Sequence, residues 1–120
     1  MTPDSTTPQP RPLAVGALAE QLLNNVPIQL VDVREHRELE LARLPHPVLH
    51  LPLSASNDWA PRIGELLERD RPVAVLCHSG MRSWQFGSWL LQEQGYGEVW
   101  NVEGGIDAWS REVDPAIPRY

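Results

Sequence analysis

The chain reads as an α/β domain built on a mostly parallel sheet with helices on both faces. Two observations carry this. Short β-favouring runs alternate with helix-patterned segments along the whole chain, the order that gives right-handed crossovers around a parallel sheet. One of these runs, Val73-Ala74-Val75-Leu76, stops at Cys77, continues as the small-residue loop His78-Ser79-Gly80, and leads into a helical segment from Arg82. A strand–loop–helix of this kind gathers backbone N–H groups and the positive end of a helix dipole into a cradle for an anion. A cysteine on its lip would have its thiolate stabilised by the same groups.

Each element has a local reason. Met1 to Pro12, rich in Thr, Pro, Ser and Gln, offers little to bury and reads as a disordered tail, with the domain over 13–120. Val15 to Asn24 carries Leu18, Ala19, Leu22 and Leu23 at helical spacing and stops at Asn25 and Pro27. Ile28 to Val33 is a compact β-favouring run, and Arg34 to Arg43 alternates charge at i,i+4, the pattern of a short exposed helix with its carboxylates in solvent. Pro45 and Pro47 break it, and Val48 to Leu53 is a strand whose end Pro52 marks. Asn57 is placed to cap a helix through about Arg69, with Ile63, Leu66 and Leu67 inward. After the strand at Val73 to Leu76, the helix from Arg82 runs to Gln94 and ends on Gly95. Val99 to Val102 is the last strand. Gly104-Gly105 turns the chain into a helical turn around Trp109, and Asp114 to Tyr120, with two prolines, lies along the surface.

Composition narrows the function. At 120 residues, 42% hydrophobic and 22% charged, the chain suits one soluble domain, without a membrane-spanning run or a signal pattern. A net charge of -6 disfavours nucleic acid or an anionic membrane as partner. The single cysteine excludes an internal disulfide and a Cys-rich zinc site, which points to the reducing cytoplasm. All ten basic residues are arginine, so lysine Schiff-base chemistry is excluded. His36, His46 and His50 lack metal-ligand spacing and read as ordinary surface or core residues.

Three segments in order carry more information than the alternation. They are Leu30-Val31-Asp32-Val33-Arg34-Glu35 with Glu38, Cys77-His78-Ser79-Gly80-Met81-Arg82-Ser83, and Asn101-Val102-Glu103-Gly104-Gly105-Ile106-Asp107-Ala108-Trp109. Together they resemble the single-domain rhodanese (sulfurtransferase) family over roughly residues 13 to 120. The resemblance implies a rhodanese-like fold and a two-step transfer: a loop cysteine takes the outer sulfur of a donor such as thiosulfate as a persulfide, then passes it to a thiophilic acceptor. Carried onto this chain, it implies Cys77 as nucleophile. His78, Ser79, Gly80, Met81 and Arg82 would form the substrate-binding loop, with Arg82 adding positive charge beside the anion. The implied transfer needs no metal or organic cofactor. Asp32 and Arg34, which could serve as acid or base, read instead as supporting residues that pair with each other or with loop backbone and hold the site in shape. The implied partners are a small sulfur donor and a thiol, cyanide-like or protein acceptor.

The chain departs from the family where many members carry Gly-His-Ile-x-Gly-Ala. Here the segment is Ala42-Arg43-Leu44-Pro45-His46-Pro47, with Arg43 at the histidine position, which leaves open how the neighbouring loop is buttressed. A Cys77–His78 catalytic pair is disfavoured because adjacent side chains diverge. The tryptophans read as core, with Trp84 the one placed to line an entrance. Phosphatases and arsenate reductases of the same fold use Cys-x5-Arg, whereas four residues separate Cys77 from Arg82 here. A docking module without catalysis and a redox role needing a partner thiol are the remaining alternatives.

Overall fold

The computed structural model describes residues 7–120. Its centre is a five-stranded sheet: β1 (Arg11–Leu13), β2 (Gln29–Asp32), β3 (Leu49–His50), β4 (Val73–Leu76) and β5 (Val99–Val102). The spatial order is β1-β5-β4-β2-β3 and every pairing is parallel, which is the α/β architecture the alternation predicts. Among the described residues five α-helices lie between strands, α1 (Val15–Leu23), α2 (His36–Leu41), α3 (Ser56–Trp59), α4 (Ile63–Leu66) and α5 (Met81–Glu93), and a sixth, α6 (Gly105–Glu112), follows β5. Among the described residues no helix is long and apolar enough to cross a membrane.

Side chains alternate across β4 and divide the core in two. Val73, Val75 and Cys77 join Trp59, Ile63, Leu67, Phe86 and Leu90 on the face covered by α3, α4 and α5. Ala74 and Leu76 join Leu18, Ile106 and Trp109 on the face covered by α1 and α6. Because β4 is buried on both faces, it reads as an unbroken apolar run rather than an alternating one.

The register is what places the site. Asp32 pairs with Leu76, and Val75 with Asn101, so β2, β4 and β5 end nearly level. The three sequence segments that follow them therefore converge at the carboxyl edge of the sheet, where open α/β folds bind ligands.

Four expectations change. The helix foreseen from Asn57 to Arg69 is broken into a 3₁₀ turn at Leu53–Ala55, α3, a second 3₁₀ turn at Ala60–Arg62, and α4. Pro61 sits in the second turn, where it lacks an N–H to donate. Asn57 lies inside α3 and caps nothing. The strand expected over Val48 to Leu53 shrinks to Leu49–His50. The helix expected from Arg34 begins at His36, where Glu35 and Glu38 form a reciprocal capping box.

The fourth concerns the tail. Met1 to Thr6 lie outside the described residues, but Arg11 and Pro12 belong to β1 and pair with Trp100 and Asn101. Pro10 is buried, and Gln92 donates to the Pro8 carbonyl at 2.9 Å. The gap that Pro10 fills exists because residue 87 is glycine: a Cβ there would stand 2.9 Å from Pro10 and 3.0 Å from Val99. Gly87→Val is therefore expected to lose about 1–3 kcal/mol of stability through overpacking. Urea unfolding checks this, and an unchanged midpoint would show that the Pro10 segment is not seated against α5.

Candidate active site

Cys77 is the first residue beyond β4, and its side chain is only 1% exposed. Burial alone would suit a structural cysteine, but its polar neighbours do not. The Gly80 N–H points at Sγ from 3.1 Å, and Ser83 Oγ lies 3.2 Å away. Ser83, in the first turn of α5, also donates to Asn101 Oδ1, while Asn101 Nδ2 donates to the Gly80 carbonyl at 3.0 Å. An amide oxygen only accepts, so Ser83 gives its proton to Asn101 and accepts from the thiol; once the sulfur ionises, that hydroxyl can turn to it. Gly80 caps α5 at φ +114, a conformation that suits glycine. The thirteen-residue helix behind it directs its N-terminal dipole at the loop.

The loop is held from the far side by α6. Ile106 N–H donates to the Cys77 carbonyl at 2.9 Å and Asp107 N–H to the His78 carbonyl at 3.1 Å. Gly105, at φ +58, lies so close that a Cβ there would collide with both carbonyls. In a trans peptide the C=O and the following N–H point in opposite directions. Drawing these two carbonyls toward α6 therefore turns the His78 and Ser79 N–H groups away from it. This answers how the loop is buttressed: by the Gly-Gly turn and Asn101, while Arg43 reaches back to the Leu39 carbonyl at 3.4 Å.

A chain of charges flanks the loop. Arg34, fully buried, grips Asp32 through Nε at 3.1 Å and Nη2 at 2.9 Å, the mutual pairing expected of these two. Its Nη1 donates to Tyr120 Oη at 2.9 Å, and Tyr120 donates in turn to Glu38 Oε2 at 2.9 Å. Glu38 receives both ends of the Arg82 guanidinium, at 2.6 and 2.8 Å, and the Glu35 N–H at 3.0 Å. The carboxylates of the Arg34–Arg43 segment are thus not all in solvent: Glu38 is an internal partner, because the capping box turns it toward the loop. The charge expected of Arg82 is likewise present but matched. The Arg82 hydrogen bonds hold the Glu38 carboxyl down at about 2 and push the guanidinium further up. Burial, aided by Glu38, raises the Tyr120 phenol to about 12.

His78 stacks on Tyr120 with ring centroids 4.1 Å apart, so its ring packs on the phenol rather than serving Cys77. On the other side of the loop, Met81 is 67% and Trp84 38% exposed. With Ser79, Gly80, Asn101 and Glu103 they border an open cleft of about 570 Å³. Gly80 lines this cleft and also touches the sulfur. Of the remaining tryptophans, Trp59 and Trp109 are core and Trp89 packs on Trp59. His36 meets His50 edge to face and His46 meets Trp109. Among the described residues no cluster of His, Cys, Asp or Glu is arranged to hold a metal.

Asn101, Ser83, Glu38 and Tyr120 are the residues that sequence reasoning left without a role. The first three stand inside the quoted segments, so position hinted at them; Tyr120 had no such signal. A depressed Glu38 pKa makes its ion pair a source of stability above the ordinary carboxyl value of 4.5, lost as pH falls toward about 2. The stability difference between wild type and Glu38→Gln should thus be constant above about pH 5.5 and shrink through the acid range. Thermal midpoints against pH measure it.

Comparison with known proteins agrees with this geometry. The Rhodanese-like domain profile matches residues 16–112. A sulfurtransferase of Allochromatium vinosum is 37% identical over 101 residues, covering 84% of this chain and 89% of the relative. The Rhodanese-like/PpiC domain-containing protein 12, chloroplastic, of Arabidopsis thaliana is 47% identical over 92 residues, 77% of this chain but only 30% of that longer protein. In three dimensions, a rhodanese-like domain protein from Staphylococcus aureus superposes with a TM-score of 0.70 at 25% identity, over 92% of this chain and 98% of its own. A parallel sheet with its cysteine loop at the carboxyl edge, a profile match over most of the chain and a full-length sulfurtransferase relative agree: the chain belongs to the rhodanese-like domain family, with the rhodanese-type sulfurtransferases.

Proposed function

We propose that the protein moves a sulfane sulfur from thiosulfate or a related donor to a thiophilic acceptor through a persulfide on Cys77. In the first half-reaction the Cys77 thiolate attacks the outer sulfur of thiosulfate, the S–S bond breaks, and sulfite leaves with the bonding pair. In the second, an acceptor thiolate or cyanide attacks the outer persulfide sulfur and Cys77 departs as thiolate. Both steps are nucleophilic displacements at sulfur and call for no metal or organic cofactor.

The observation that carries this reading is the environment of Cys77 Sγ. It combines a backbone N–H at 3.1 Å, a hydroxyl at 3.2 Å and the start of a thirteen-residue helix, all of which favour a sulfur anion. His78, Ser79, Gly80, Met81 and Arg82 form the loop around the donor, Asp32 and Arg34 support it, and Cys77 is the nucleophile. Acceptors would be a small thiol, cyanide or a protein thiol in a reducing cytoplasm. The four-residue spacing from Cys77 to Arg82 is one residue shorter than in the phosphatase loop, which argues against phosphoryl transfer at this cysteine.

Intact mass after incubation with thiosulfate tests the proposal. Wild type should gain one sulfur that cyanide discharges as thiocyanate, and Cys77→Ser should gain none. Turnover of an aryl phosphate without any sulfur gain would favour the phosphatase instead. Asn101→Ala is expected to lower turnover about tenfold or more while the fold persists, since it frees the Gly80 carbonyl and the Ser83 hydroxyl together. Steady-state rates beside circular dichroism check this, and unchanged turnover would remove Asn101 from the site.

A further inference from the structure

We infer that the sulfur donor of this site is an organic sulfane carrying at most one negative charge on an apolar body, such as an alkyl persulfide or thiosulfonate, rather than dianionic thiosulfate. The inference rests on the Cys77 persulfide reading and specifies its substrate. A dianion needs cationic charge that is not already neutralised. Arg82 has both guanidinium ends on Glu38 at 2.6 and 2.8 Å. Arg34 is buried against Asp32. The loop's other titratable side chain, His78, is stacked on Tyr120, whose hydroxyl itself bridges Arg34 and Glu38. What remains for the donor is backbone N–H groups and a helix end, enough for one negative charge but short of two.

The cleft beside the loop points the same way. Exposed Met81 and Trp84 offer an apolar wall, a surface that gains from covering a hydrocarbon body and gains nothing from sulfite. Its one charged lining residue is Glu103, which repels anions. The chain's net charge of -6 adds repulsion at longer range. The transfer step balances without any further reagent. Cys77 thiolate attacks the terminal sulfur of R–S–SH, the S–S bond breaks, R–S⁻ leaves with the bonding pair, and the proton stays on the transferred sulfur. With a thiosulfonate, the sulfinate leaves in the same way.

Benzenethiosulfonate, a monoanion with an aryl body, and thiosulfate are the probes. Their kcat/KM ratio is measured in wild type and in Glu38→Gln, which keeps hydrogen bonding to Arg82 but leaves its charge unmatched. Intrinsic reactivity of the two donors cancels in this comparison. The ratio should move toward thiosulfate by about tenfold in the variant. In wild type, kcat/KM for thiosulfate should stay flat or rise as salt increases to about 0.5 M, because no net attraction is there to screen. An unmoved ratio in a folded variant, or a steep fall of the wild-type thiosulfate rate with salt, would overturn the inference; should the variant fail to fold, the salt dependence decides alone. Absence of added sulfur on Cys77 with both donors would instead overturn the persulfide reading beneath it.

Discussion

Two hydrogen bonds from the first turn of α6 to the carbonyls of Cys77 and His78 set the shape of the loop on which everything else depends. They need a backbone approach that only glycine at position 105 permits. They fix the direction of two peptide planes, and with it the side toward which the loop's donors point. Asn101, one strand residue back, ties the Gly80 carbonyl and the Ser83 hydroxyl into the same frame. The cysteine environment is thus assembled by β5 and α6 as much as by β4 and α5. A rigid sheet edge presenting a short loop holds the groups around Cys77 Sγ in a fixed arrangement.

The electrostatics follow a second constraint, that buried charge must be paired. Asp32, Arg34, Glu38 and Arg82 form two ion pairs joined by the Tyr120 hydroxyl. Pairing leaves neither the buried Arg34 nor the half-buried Arg82 with an unmatched charge. It also leaves a site whose positive character comes chiefly from backbone dipoles, which are fixed in place and do not reorganise during reaction.

Much of this was legible in the chain itself. Strand order along the sequence, the β4 run, the Gly95 stop and the cysteine loop follow from local preferences and from spacing, and Asp32 with Arg34 is a short-range pair two residues apart. What failed failed for identifiable reasons. Pro61 divides a helix whose apolar spacing looked continuous. Arg11 and Pro12 look like tail because a three-residue edge strand has too little pattern to register, and its pairing with β5 spans most of the chain.

The sequence by itself determined the α/β class, the place of the cysteine at the end of the β4 run and the four-residue spacing from it to Arg82, because each depends on neighbours along the chain. Tertiary structure decided which charges are free. Glu38 and Arg82 are forty-four positions apart and Tyr120 is eighty-two from Glu38; no local pattern relates them. Only the level register of β2, β4 and β5, with the return of the last segment over His78, brings them within hydrogen-bonding distance.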